Sequence, residues 1–192
     1  SIEPFFNFEL IDEIVVVVPR EDVEFVRESI NRFNLNIKVK KIVSGGKRRQ
    51  DSVYNGLKNI NDNIDYILIH DGVRPFINVN DIKRIVDEVK KSKAVTFCVP
   101  VRDTMIENDG DYIKKFVNRD DIMLVQTPQA FEAGLLKDAY RKAYEDMFYG
   151  TDDSSLVVRT GKNVKILTGS YNNIKITNRE DLLLAETLLK KR

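Results

Sequence analysis

The sequence predicts an α/β fold: a doubly wound, mostly parallel sheet with a projecting β-hairpin arm. Three observations carry this. Short continuous apolar runs closed by Pro or Gly read as strands buried on both faces, the mark of parallel sheets. Apolar residues at helical spacing lie between them, and β-α-β-α alternation with right-handed crossovers puts helices on both faces. One segment, residues 102–127, breaks the rhythm and reads as the arm.

In order, Ile14–Val18 is a run of one Ile and four Val closed by Pro19, the first strand. Val23, Val26, Ile30 and Phe33 then mark a helix, and residues 37–43 a second strand ended by Ser44-Gly45-Gly46. Val53, Leu57 and Ile60 suggest another helix before the strand Tyr66–Ile69. Ile82, Ile85, Val86 and Val89 form a helical stripe, with Asn78 or Asn80 as N-cap. Residues 94–99 are a fourth strand, ended by Pro100. In the arm, residues 112–117 and 122–126 read as two strands around Asn118-Arg119-Asp120-Asp121. Such an arm cannot bury both its faces alone, so it predicts a partner subunit. A long amphipathic helix follows over 135–147, and Thr151-Asp152-Asp153 caps the next. Residues 164–167 and 174–177 read as strands and 181–189 as a closing helix. No internal repeat or interdomain linker interrupts the 192 residues, which are enough for a single domain.

Composition excludes several functions. Hydrophobic residues are 42% and charged residues 32% of the chain, and the net charge is +1. No global field recruits nucleic acid or an anionic membrane, so an anion site must be a local cluster. No apolar stretch approaches the ~20 residues of a membrane span. The single cysteine, Cys98, lies in an apolar run and reads as a small buried hydrophobe. It rules out a disulfide framework or a Cys-based zinc site and fits a reducing cytosol, so a cytoplasmic location is expected.

The strand Tyr66–Ile69 runs into His70-Asp71-Gly72-Val73-Arg74-Pro75. In open α/β sheets ligands bind outside the carboxyl ends of strands. Arg74 there suits a phosphate or carboxylate, and Asp71 a hydroxyl or metal ion; a structural ion pair fixing the loop is the competing reading. His70 reads as a packed, hydrogen-bonded residue, because no second His or Cys completes a triad or soft-metal site. Gly45-Gly46 precedes Lys47-Arg48-Arg49 and a helix start. It is either a turn with a solvated charge run or a place where an anion or base edge meets free backbone N–H groups. Lys175, inside a predicted strand, faces either solvent or an anion. Neither the dinucleotide-binding G-x-G-x-x-G nor the Walker motif is present. The residues alone reach an α/β enzyme for a phosphorylated small molecule, not a reaction.

Six motifs occur in one order: Gly45-Gly46-x-x-Arg49-Gln50-Asp51-Ser52-Val53, His70-Asp71-Gly72-Val73-Arg74-Pro75-Phe76, Pro100-Val101-Arg102-Asp103-Thr104, Gln126-Thr127-Pro128-Gln129-Ala130-Phe131, Thr151-Asp152-Asp153-Ser154-Ser155 and Asn173-Ile174-Lys175-Ile176-Thr177. Together, from about Ile14 to the C-terminus, they resemble the 2-C-methyl-D-erythritol 4-phosphate cytidylyltransferases of the non-mevalonate isoprenoid pathway. The resemblance implies a Rossmann-like sheet of the nucleotidyltransferase type. It also implies attack of the methylerythritol phosphate oxygen on the α-phosphorus of CTP, with Mg²⁺ present and pyrophosphate leaving. Gly45, Gly46 and Ser52 would form the nucleotide site, and Asp71 would lie by the ribose and reacting phosphates. Arg74, Thr104, Arg119 and Thr127 would contact methylerythritol phosphate, Thr104 and Arg119 from the partner's arm in a homodimer. Lys175 would stabilise the phosphates in the transition state. The metal's ligands are not assigned.

The resemblance departs at one end. The family opens with a strand and a glycine-rich loop, Ala-Ala-Gly-x-Gly-x-Arg, followed by Pro-Lys-Gln, that wraps the triphosphate. Residues 1–8 are instead similar to the end of the helix after that loop. The family's first strand lies mid-sheet, so Ile14–Val18 and Tyr66–Ile69 are expected to flank a gap, and these 192 residues alone are expected to lack turnover. A ribitol 5-phosphate cytidylyltransferase shares much of the loop pattern and is the nearest alternative. A non-catalytic nucleotide-binding or dimerising fragment is the alternative of another class. A dehydrogenase is disfavoured by the missing dinucleotide fingerprint.

Overall fold

The computed structural model describes residues 1–190. A short helix α1 (Glu3–Phe6) precedes strand β1 (Ile14–Val18) and helix α2 (Val23–Arg32). Strand β2 (Val39–Ser44) pairs parallel with β1, Val18 opposite Ser44. The expected start of β2 at Ile37 is corrected. Asn34 takes a left-handed conformation, φ 54°, and residues Leu35–Ile37 coil into a 3₁₀ turn that leaves Ile37 exposed. Phe33, expected in the buried stripe of α2, falls just past its end and is also exposed.

Helix α3 (Arg49–Leu57), strand β3 (Tyr66–Ile69), helix α4 (Val79–Ser92) and strand β4 (Ala94–Pro100) follow as predicted. The Asn78 side chain accepts from the Asp81 N–H, confirming it as the α4 cap. Ile82, Ile85 and Val89 are fully buried on one face of α4, each worth roughly 1.5–3 kcal/mol of transfer free energy.

The arm is a hairpin, but its register is corrected. Strands β5 (Met105–Asp109) and β6 (Tyr112–Val117) pair antiparallel across a turn at Gly110, φ +58°. Asp-Gly supplies the left-handed backbone that a tight hairpin turn demands. Residues 123–126 belong instead to a ten-residue strand β7 (Met123–Glu132) in the main sheet, and Ile122 closes the 3₁₀ turn before it. β7 runs antiparallel between β3 and β4, the one reversal among otherwise co-directional strands.

Helices α5 (Ala133–Glu145) and α6 (Asp153–Arg159), strand β8 (Lys165–Thr168) and helix α7 (Arg179–Leu189) complete the fold, with β8 parallel to β4. The predicted strand at 174–177 is a loop. Only the Ile176 N–H reaches a strand-like partner, the Val73 carbonyl at 2.9 Å. Side-chain ties to Asn173 and Lys175 take the place of a ladder there.

Alternating strand residues feed two cores, as a doubly wound sheet requires. Ile67, Ile69, Ala94 and Phe131 pack with α5 and α6 on one face. Val95, Phe97 and Ala130 pack with α4 and Phe5 on the other. Cys98 is buried and free.

β1 pairs with β2 alone and β3 with β7 alone, so the expected gap between Ile14–Val18 and Tyr66–Ile69 is present. A cavity of about 610 Å³ separates the two strands. All five β1 residues are consequently half-buried rather than enclosed on both faces. Among the described residues, no helix is long and apolar enough to cross a membrane.

Candidate active site

The carboxyl end of β3 delivers His70 and Asp71 beside β7. The Asp71 backbone N–H donates to Thr127 Oγ1 at 3.0 Å, and that hydroxyl lies 3.2 Å from His70 Nδ1. His70 Nε2 lies 2.9 Å from the Arg74 carbonyl. One neutral tautomer satisfies all three: Nε2–H donates to Arg74, and Nδ1 accepts from Thr127. Burial keeps the ring neutral and pulls its pKa down to about 4. His70 is thus packed and hydrogen-bonded, as expected.

The Asp71 carboxylate, largely buried, meets three cations. Arg49 Nε donates to Oδ1 at 3.0 Å, Lys175 Nζ lies 3.0 Å from Oδ2, and Arg74 Nε lies 3.8 Å from Oδ2. Burial works against its charge, but Arg49 and Lys175 outweigh burial and hold the carboxyl below the usual carboxylate range. Arg74 is buried and donates through Nη1 to the Asn173 carbonyl at 2.7 Å. The Asn173 side chain in turn donates to the Thr127 carbonyl at 2.8 Å. The two strand-end loops are therefore tied to β7 at one point. A cleft of about 270 Å³ opens there, lined by Arg49, Asp71, Arg74, Thr127, Asp152 and Lys175.

The Gly45-Gly46 turn lies next door at the head of α3. The Gly46 N–H donates to Ser52 Oγ at 3.1 Å. A Cβ on Gly46 would collide with Asp51, whose backbone atoms stand 3.2–3.3 Å away, so only glycine fits. Of the three consecutive cations, Lys47 and Arg48 are exposed, and Arg48 stacks on the Tyr149 ring at 3.7 Å. Only Arg49 turns into the cleft.

The structure thus brings Asp71, Arg74, Thr127 and Lys175 together, with Gly45, Gly46 and Ser52 at the adjoining turn. Thr104 and Arg119 are not among the residues lining the cleft. Both are exposed at the base of the arm, where Arg119 Nη1 donates to the Arg102 carbonyl at 2.9 Å. Sequence reasoning missed the role of Arg49 and of Asp153, which binds Arg49 Nη2 at 2.8 Å and is fully buried. It also missed Gln129, which donates to Asp152 and accepts from the Ser154 N–H. The signal available was position: Arg49 opens α3, Asp153 opens α6, and Gln129 sits mid-strand where a polar residue needs partners.

A strand-end carboxylate ringed by cations, on an α/β sheet beside a glycine turn, marks an α/β enzyme for a phosphorylated small molecule. The family model described as 2-C-methyl-D-erythritol 4-phosphate cytidylyltransferase (IspD) matches residues 1–191. The enzymes of that name from Syntrophus aciditrophicus and Clostridioides difficile are each 47% identical, over 96% and 98% of this chain and 80% and 79% of theirs. The crystal structure of 4-diphosphocytidyl-2C-methyl-D-erythritol synthase from Anaerococcus prevotii superposes with a TM-score of 0.90 at 32% identity, covering 99% of this chain and 84% of that one. The chain belongs to the 2-C-methyl-D-erythritol 4-phosphate cytidylyltransferase family. These relatives do not favour the ribitol 5-phosphate alternative.

Proposed function

We propose that this protein transfers CMP from CTP to 2-C-methyl-D-erythritol 4-phosphate, releasing pyrophosphate. A phosphate oxygen of the sugar phosphate attacks the α-phosphorus of CTP. A new P–O bond forms, and the bond to the β-phosphate bridging oxygen breaks. The observation that carries this reading is the cluster of Arg49, Arg74 and Lys175 around Asp71. Phosphoryl-type transfer needs positioning and charge neutralisation more than covalent catalysis.

The roles are those the family resemblance implies. Gly45, Gly46 and Ser52 hold the nucleotide base at the α3 turn. Asp71 faces the ribose and reacting phosphates, while Arg74 and Thr127 hold the sugar phosphate from the cleft floor. Lys175 retains 41% exposure of its side chain, so it is free to leave Asp71 for a phosphate oxygen as charge develops. Thr104 and Arg119 complete the sugar-phosphate site from a second copy, in a homodimer joined through the arm. The exposed apolar residues Ile106, Tyr112, Ile113 and Phe116 support that role for the hairpin.

The donor set fits Mg²⁺ in one manner. Among the described residues, no cluster of three metal-ligating side chains exists. Mg²⁺ commonly takes one or two carboxylates plus substrate phosphates and waters, and Asp71 would provide such a carboxylate once Lys175 has left its Oδ2 for a phosphate oxygen. Bound with the triphosphate, the ion would neutralise phosphate charge. The free, buried Cys98 accords with a reducing compartment, and we assign the reaction to the cytoplasm.

The test is pyrophosphate release by the intact gene product with CTP and Mg²⁺, offered methylerythritol phosphate or ribitol 5-phosphate. Turnover with the first and not the second is expected. Preference for ribitol 5-phosphate, or turnover with neither, overturns the reading.

A further inference from the structure

We propose that Asp153 is a positioning residue for the transfer reaction, acting through Arg49 on Asp71; this rests on the cleft being the cytidylyl-transfer site. Asp153 has no exposed surface. Its Oδ2 accepts from Arg49 Nη2 at 2.8 Å, and its Oδ1 accepts from Tyr140 OH at 2.5 Å. Tyr140 is itself 1% exposed. The capping duty at the start of α6 falls to the neighbouring Asp152, which accepts from the Ser155 N–H at 2.9 Å. Asp153 is therefore not needed to start its helix.

A buried carboxylate is costly, and an apolar replacement of such a pair is often neutral or stabilising. Stability alone is a poor reason for this charge. Its geometry gives a better one. The Arg49 guanidinium spends one donor on Asp153 and another, Nε, on Asp71 Oδ1. A planar fork gripped at Nη2 has its Nε direction set. Asp71 Oδ1 is thereby held, and Oδ2 is left to Lys175, the group that must move. The order runs from rigid core to cleft: Tyr140, Asp153, Arg49, Asp71, Lys175.

Two measurements test this. The first needs no substrate: the Arg49 Nε–H resonance should exchange slowly with solvent in the wild-type protein and rapidly in Asp153→Asn. Unchanged protection overturns the proposal. The second uses pyrophosphate release by the intact enzyme. Asp153→Asn and Arg49→Lys should each lower kcat by about tenfold or more, with KM for both substrates within about threefold. The double variant should be no slower than the worse single, because both break one linkage. Independent, multiplying losses, or an unaltered kcat in Asp153→Asn, overturn it. Should Asp153→Asn not fold, Tyr140→Phe replaces it in the same cycle, with a loss of about threefold expected. If the wild-type enzyme turns over nothing, the assigned reaction fails, while the Arg49 resonance still judges the linkage.

Discussion

Lys175 stands 3.0 Å from Asp71, with two-fifths of its side chain in solvent. In the proposed reaction it neutralises charge that develops during transfer. Lys175→Ala should lower kcat roughly 10²–10³-fold, the usual effect of removing one such group; a loss under about tenfold in steady-state assays would remove Lys175 from the mechanism. His70 carries a different prediction. Its folded pKa of about 4 lies below the unfolded value of about 6.5, so the folded state binds fewer protons between those limits. That stability is fully present above pH 6.5 and drains away as pH falls toward 4. Between pH 7 and 5 the loss is about 2 kcal/mol. Asp71, held below the usual carboxylate range, contributes its own loss only at lower pH. Denaturant unfolding of His70→Gln should show the flatter acid limb; an unchanged slope from pH 7 to 5 would refute this. Asp71 and Arg74 were legible because the end of β3 announces itself, whereas Thr127, in the middle of β7, and Lys175, in a loop rather than the expected strand, were assigned through the family resemblance. Asp153 was not, because its partner Arg49 lies 104 positions away and an ion pair leaves no periodicity.

The head of α3 is the element to which the proposed function assigns the nucleotide base. Gly46 lies against Asp51, whose Oδ2 accepts from the Arg48 N–H and whose Oδ1 accepts from Tyr144 OH at 2.6 Å. Gly46→Ala must push that turn aside, at about 1–3 kcal/mol, and KM for CTP should rise more than KM for the sugar phosphate. Equal effects on both would detach this turn from the nucleotide. The arm makes a second element-level prediction. Tyr112, Ile113 and Phe116 are 81%, 58% and 69% exposed, and an isolated hairpin is marginal in water. Phe116→Asp should shift sedimentation from dimer to monomer; an unaltered dimer would place the interface elsewhere. The arm's existence was legible from the broken β-α rhythm, but its register was not. The Asp109-Gly110 turn signal was outweighed by Asn118-Arg119-Asp120-Asp121, which forms a 3₁₀ return into β7. The reversed direction of β7 had no local signal, since a buried strand reads alike either way along the chain.

At the scale of the whole molecule, β1 and β2 form one ribbon and β3, β7, β4 and β8 another. The first turn of α3 clasps them. Gln50 Nε2 donates to the Phe148 carbonyl at 3.1 Å, and its Oε1 accepts from the Gly150 N–H at 2.9 Å. Arg49 adds the bridge to Asp71 and Asp153. Amides of β1 should exchange with deuterium well before those of β4, which is paired on both sides. Equal protection by mass spectrometry would show the ribbons to open as one unit. The gap between β1 and β3 was legible from the resemblance, because it concerns which strand belongs between which; the clasp that holds its two walls together was not. That clasp has a mechanical consequence. Force that draws the two ribbons apart meets the Arg49 and Gln50 ties first, so under tension this joint should yield before either ladder of strands unzips.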